Sequence, residues 1–241
     1  MQLTRVSRQF GEVEVLREIS IEIERREFLA VVGPSGCGKT TLLNLLSGYD
    51  QPSSGRVERH GNVRMVYQAD GLFPWKTVVQ NIALGLRDLR NENERRQQID
   101  GMVRLVEIAG CEHLYPHQLS GGMRQRAELA RALAGDSDIL LMDEPFSSLD
   151  YLARLRMRQE LARFLRELPR TVVLVTHDIE EAAQLADRVI VLSGRPAQIR
   201  RELRVRAARP RALTHPEVVS ATRIILTELG IEHDTDSIDS T

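Results

Sequence analysis

Phe28-Leu29-Ala30-Val31-Val32-Gly33-Pro34-Ser35-Gly36-Cys37-Gly38-Lys39-Thr40-Thr41 is the stretch on which the fold turns. Its opening run of apolar residues without a polar break reads as a strand covered on both faces. Gly33, Gly38, Lys39 and Thr40 then match G-x-x-x-x-G-K-[ST], and residues 41–46 continue as a helix. Strand, loop and helix in that order make a phosphate cradle. Its glycines let backbone N–H groups curl around an anion, Lys39 supplies a compact ammonium, and the Thr40 hydroxyl is placed for Mg²⁺. Only two of the 33 basic residues are lysines, Lys39 and Lys76, and one of them stands where a rotatable point charge suits better than a planar guanidinium.

Working outward, Ile139-Leu140-Leu141-Met142 and Thr171-Val172-Val173-Leu174-Val175 repeat the buried-strand pattern, each leading into a loop and a helix. On the N-terminal side Ile19, Ile21 and Ile23 alternate with Ser20, Glu22 and Glu24, and residues 3–6 and 13–16 add two more strand-like runs. Those predict a small antiparallel β-lobe. Residues 77–134 read as helix, with apolar stripes of Val78, Val79, Ile82, Ala83 and Leu86 and of Met102, Val103, Val106 and Ile108, and a polar helix face or loop at 90–98. The expected organisation is one domain over 1–230. Its β-lobe and α/β core take 1–76 and 136–205, a helical lobe is inserted at 77–135, and a C-terminal extension follows at 206–230. Thr214-His215-Pro216-Glu217 resembles a capping box before the stripe of Val218, Ile225 and Leu229, and 231–241 is expected to be a disordered tail.

A chain of 241 residues with 42% hydrophobic and 28% charged residues can bury a sizeable core. A net charge of −1 gives no basic field for nucleic acid. Cys37 and Cys111 suggest no disulfide framework and fit a reducing compartment. The opening residues run straight into strand-like sequence, so no secretory leader is expected, and no apolar run is long enough to span a membrane. Any membrane role must therefore come through a partner.

Asp143 and Glu144 close the run at 139–142. Asp143 at the strand's end can hold Mg²⁺ through water, and Glu144 can orient or deprotonate an attacking water; a plain polar strand exit is the alternative. His177 follows the strand at 171–176 and could touch a terminal phosphate, and Gln68 ends a short strand at 63–67 within reach of metal or water. Phe10 beside Gly11 could stack on a base or simply pack. Leu119-Ser120-Gly121-Gly122-Met123 offers a second glycine-rich helix N-terminus with a hydroxyl, another anion-seeking element.

Taken in order, Phe10, the phosphate loop, Gln68, Leu119 to Met123, Met142-Asp143-Glu144-Pro145, Ser147-Ser148-Leu149-Asp150 and His177 resemble an ATP-binding-cassette ATPase subunit over about residues 1–200. The resemblance implies a phosphate-loop NTPase with a RecA-like α/β core, and ATP and Mg²⁺ as ligands. Gly33, Pro34, Ser35, Gly36, Cys37, Gly38, Lys39, Thr40 and Thr41 would bind ATP with Phe10 as the adenine platform. Thr40, Gln68 and Asp143 would serve the metal, and Glu144, His177 and Gln68 catalysis. It further implies a head-to-tail homodimer, in which the signature residues Leu119, Ser120, Gly121, Gly122 and Met123 face the partner's ATP and the D-loop residues Ser148, Leu149 and Asp150 report across the interface.

Val66-Tyr67-Gln68-Ala69-Asp70-Gly71-Leu72-Phe73-Pro74-Trp75, Met123-Arg124-Gln125-Arg126, Pro145-Phe146 and Leu192-Ser193-Gly194-Arg195-Pro196 bring the likeness closer to nitrate-, sulfonate- and taurine-type importer ATPases. Phe10 replaces a common tyrosine, and Ser147-Ser148 stands where that group often has Gly-Ala. The implied setting is the cytoplasmic face of the inner membrane, with an integral permease and, indirectly, a periplasmic or lipid-anchored solute-binding protein as partners. Leu72, Phe73, Pro74 and Trp75 are either a permease contact or packing against the helical lobe. The six arginines from Arg200 to Arg211 read as a solvated strand and loop, with attraction to anionic lipid as the alternative. Rival functions are an exporter or lipoprotein-release ATPase, a non-transport cassette ATPase, and a regulatory module that holds ATP without turnover.

Overall fold

A computed structural model describes residues 1–67 and 71–231. Strands β1 (Gln2–Phe10), β2 (Val13–Glu22) and β3 (Phe28–Val32) open the chain, followed by α1 (Lys39–Ser47), β4 (Ser54–Glu58) and β5 (Val63–Val66). Helices α2 (Val78–Ala83), α3 (Glu92–Leu105) and α4 (Gly121–Ala134) come next, with 3₁₀ turns at Leu84–Leu86 and Pro116–Gln118. Strand and helix then alternate through β6 (Ile139–Asp143), α5 (Tyr151–Glu167), β7 (Thr171–Val175), α6 (Ile179–Leu185) and β8 (Arg188–Leu192), before β9 (Ile199–Arg204) and α7 (Pro216–Glu228).

A three-stranded sheet orders its strands β2-β1-β4, all antiparallel, and a six-stranded sheet runs β5-β6-β7-β3-β8-β9. Every pair in the larger sheet is parallel except β8 with β9. The unbroken apolar sequence of β3 follows from its central place. Phe28, Ala30 and Val32 join one core with Leu129 and Leu133 of α4 and Leu161 of α5. Leu29 and Val31, on the opposite face, join a second core with Leu42 and Leu46 of α1 and with Leu3, Val6 and Ile19 from the small sheet. The alternating isoleucines of β2 supply that second core because period-2 side chains point to one face.

Two expectations for the C-terminal part change. The cap of α7 is His215, whose Nδ1 accepts the Glu217 N–H at 3.2 Å, and not Thr214. Pro216 at the first helical position sets the start, and the Glu217 carboxylate is drawn away by the amides of Arg206 and Ala207 at 2.6 and 3.1 Å. Nor are the six arginines all solvated. Arg200, Arg201, Arg204 and Arg206 are exposed, but Arg209 lies 5.2 Å from the Phe28 ring centroid and pairs with Asp187. Arg211 is buried and donates to the carbonyls of Gln184, Ala186, Val205 and Ala207, fastening the chain ahead of α7 onto α6. Of the tail expected at 231–241, residues 232–241 lie outside the described residues.

Candidate active site

Because β6, β7 and β3 are neighbours, their C-terminal ends share one rim, where ligands of parallel sheets gather. At the end of β3 the loop turns into α1 through Gly38, whose φ is 120°. A Cβ there would stand 2.7 Å from Val15 Cγ1 and 3.0 Å from Leu16 Cδ2, so conformation and space both require glycine. Among the described residues no side chain caps α1, which leaves its first-turn N–H groups open to an anion. Lys39 is buried and folds back over the loop, its Nζ donating to the carbonyls of Gly33 at 2.9 Å and Pro34 at 3.1 Å. Pro34, Ser35, Gly36 and Thr40 are exposed along the loop, while burial raises the pKa of the Cys37 thiol, keeping it protonated.

At the end of β6, Asp143 is buried and shares a hydrogen bond with the Thr40 hydroxyl. Burial pushes its carboxyl above the usual range, the Thr40 bond opposes this, the Glu144 charge adds to it, and Lys39 opposes it again. A hydroxyl and a desolvated carboxylate side by side suit a divalent cation that takes its remaining ligands from phosphate and water. Among the described residues no cluster of three His, Cys, Asp or Glu could hold a metal by itself.

Glu144 leaves the strand at a φ of 48°, a costly region for a residue with a Cβ, so its surroundings must hold it there. Its N–H donates to Val175 O of β7 at 2.9 Å, and its carbonyl accepts from Gln125 Nε2 at 3.0 Å. Its carboxylate Oε1 lies 3.0 Å from Nδ1 of His177, which is 62% exposed where Glu144 is 16%. The structure thus brings the loop, Asp143, Glu144 and His177 to one rim. Gln68 lies outside the described residues. Phe10 ends β1, 47% exposed, with the Arg8 guanidinium 4.2 Å from its ring centroid, so one ring face already carries a cation.

The signature opens α4. Ser120 is the N-cap and its hydroxyl accepts the Met123 N–H at 3.3 Å, while Leu119 is buried. A Cβ on Gly122 would meet Leu149 Cδ2 at 3.1 Å, so the signature packs on the D-loop. Asp150 caps α5 by accepting the Ala153 N–H at 2.9 Å. Further along, Phe73 and Trp75 stand 40% and 69% exposed with ring centroids 5.4 Å apart. Leu72 points into the core at 6% exposure, so any docking ridge here is limited to Phe73, Pro74 and Trp75, and packing alone does not account for Trp75.

Three groups of functional neighbours were missed in the sequence. Gln125, buried one turn into α4, bonds Glu144 O, Ser147 Oγ, and both N–H and Oγ of Ser148. Asn81, fully buried, holds the aromatic ridge through Phe73 N–H and the carbonyls of Phe73, Lys76 and Thr77. Beneath His177, Asp178 caps α6 and binds Arg154 and Arg158, while Glu181 accepts the Thr176 hydroxyl at 3.1 Å. Burial pushes Glu181 up to about 8, whereas for Asp178 burial is outweighed by the Glu181 amide, Arg158 and Arg154, and its carboxyl stays below the ordinary range. Only Gln125 gave a signal, its fixed distance from Ser120.

A glycine-rich loop holding a buried lysine at one strand end, with an imidazole-paired carboxylate two strands away, places the protein among phosphate-loop nucleoside triphosphatases. Within that class the chain belongs to the ABC transporter family, whose model matches residues 16–147, and it is an ATPase of that family. An uncharacterized ABC transporter ATP-binding protein of Methanocaldococcus jannaschii is 41% identical over 92% of this chain and 86% of its own. An aliphatic sulfonates import ATP-binding protein of Rhodococcus jostii is 43% identical over 88% and 85%. A nitrate import ATP-binding protein of Synechococcus elongatus is 45% identical over 83% of this chain and 32% of its own length. The fold is similar to a bacterial ABC transporter cassette solved as a dimer, at a TM-score of 0.77 and 30% identity over 86% of this chain and 99% of that one. The same cassette in a post-hydrolysis state bound to ADP and Pi gives 0.76 at 29% identity. The subgroup resemblance drawn from residues 66–75 and the signature agrees with the sulfonate and nitrate relatives. Among the described residues no helix is long and apolar enough to cross a membrane.

Proposed function

We propose that this chain is the peripheral ATP-hydrolysing subunit of an importer for a small anion of the nitrate or sulfonate kind, working as a head-to-tail pair on a separate permease. The observation that carries it is the Glu144 carboxylate, fixed 3.0 Å from His177 at the rim onto which the β3 phosphate loop opens. Glu144 takes a proton from the attacking water, and His177 holds the carboxylate and faces the terminal phosphate. Lys39 exchanges its two loop carbonyls for phosphate oxygens, and residues 33–41 cradle the rest of the chain of phosphates. Thr40 and Asp143, with Gln68, are the residues that would hold Mg²⁺, which supplies charge neutralisation between the phosphates. Phe10 stacks on adenine through the face that Arg8 leaves open.

Ser120, Gly122 and Met123 of a second copy complete the site, and Asp150 reports across the pair. The chain divides for this task into a β-lobe and core at 1–76 and 136–205 and a helical lobe at 77–135. The ridge of Phe73, Pro74 and Trp75 meets a permease element at the cytoplasmic face of the membrane, and a solute-binding protein delivers the anion from the other side. Co-expression with the permease tests this. Trp75→Ala is expected to lower co-purification and abolish permease-stimulated phosphate release; retention of both would remove the ridge from the interface.

A further inference from the structure

Helix α4 carries the signature at its first turn and, two turns on, a buried carboxylate that no proposed catalytic step uses. Glu128 is 2% exposed, and its two oxygens accept two different backbone N–H groups. One is Tyr67 N–H, 3.2 Å from Oε1; the other is Gly71 N–H, 2.9 Å from Oε2. Tyr67 and Gly71 are the residues on either side of 68–70. One turn later Arg131 takes the other side of the same peptide chain. Its Nη1 donates to Gly71 O at 2.7 Å, its guanidinium lies 5.8 Å from the Phe73 ring centroid, and it pairs with Glu128 at 3.8 Å. Gly71 leaves room for this grip: a Cβ there would fall well inside van der Waals contact of Glu128 Oε1 and 3.0 Å from Arg131 Nη2.

Here the two donors reach different oxygens of one buried side chain, and among side chains of this length only a carboxylate has two acceptor oxygens. An amide of the same shape would turn one N–H donor against another, leaving a buried group without a partner. From this we infer that Glu128 is a positioning residue. It fixes the Tyr67 and Gly71 backbone, and with Arg131 the base of the aromatic ridge, to the helix that presents Ser120. Signature and ridge then move as one piece. The inference rests on the reading of the chain as a permease-coupled ATPase, and it assigns the coupling to a side chain outside the nucleotide and permease contacts.

Trp75, the sole tryptophan, sits on that ridge and reports on it directly. Wild type, Glu128→Gln and Gly71→Ala are compared for Mg-ATP hydrolysis, thermal midpoint and ATP-induced change in Trp75 emission. Both variants are expected to keep KM and basal kcat within about twofold of wild type while the emission change falls about threefold or more. Gly71→Ala reaches the same end by pushing the carboxylate aside, so it stands if Glu128→Gln fails to fold. An emission change equal to wild type in a folded variant overturns the inference, as does a folded wild type that hydrolyses ATP with no Trp75 response. A wild type that neither binds nor hydrolyses ATP overturns the underlying reading instead.

Discussion

The two helix N-termini offered to phosphate are built in opposite ways. At α1 no side chain caps the first turn, Gly38 adopts a backbone conformation shaped for close approach, and the buried Lys39 is held over the loop. At α4 the exposed Ser120 already satisfies the Met123 N–H, and Gly122 is packed on Leu149. One terminus keeps its first-turn N–H groups uncapped beside a buried ammonium; the other is capped by its own exposed hydroxyl. On the proposed function, the difference assigns affinity to the α1 end and pairing to the α4 end.

The largest effect expected is at α1. Lys39→Ala should lower phosphate release by about 100- to 1000-fold and weaken ATP binding together, as loss of one preorganised charge in such a site does. Titration with a fluorescent ATP analogue separates the two. Next, Glu144→Gln should reduce turnover by about 100-fold while ATP still binds, so that a dimer accumulates on size exclusion when ATP is present. A monomer that stays monomeric under saturating ATP would break the contrast outright. Ser120→Ala is expected to cost about 1 kcal/mol of stability through the lost cap and about tenfold in turnover. ATP affinity of the isolated chain should hold; a loss matching that of Lys39→Ala would show the two termini to be equivalent.

The smallest effect concerns neither terminus but the buried acid beneath His177. Glu181 binds its proton more tightly folded than unfolded, so its contribution is full below the unfolded value and is lost as pH rises towards about 8. Glu181→Gln should therefore show a flatter decline of the melting temperature between about pH 5 and about pH 8 than wild type. An unchanged slope would assign that titration elsewhere.

Local pattern foretold much of this arrangement and tertiary placement the rest. The strands carrying the site were visible because a strand buried on both faces has no polar interruption, and the α1 cradle because its glycines, Lys39 and Thr40 are contiguous. Glu144 and His177 could be named from their strand ends, although the 3.0 Å contact between them depends on β6 and β7 being neighbours. Gln125 had only its distance from Ser120 to mark it and Glu128 nothing, since their partners are distant in sequence, while Asn81 binds backbone four to eight residues away in a loop whose shape no local pattern sets. The arginines show the same limit: Arg206 and Arg211 are alike in composition, yet one is exposed and the other fills a nest of four carbonyls. The capping box at 214–217 failed for a related reason, because Glu217 found better donors in Arg206 and Ala207.

Lys39, tucked against Gly33 and Pro34, has one further consequence for bench chemistry. With only one other lysine in the sequence, half-buried Lys76 beside Trp75, the molecule presents amine-reactive reagents with very few targets. Acylation should therefore mark Lys76 ahead of Lys39, giving a covalent footprint at the aromatic ridge without any engineered label.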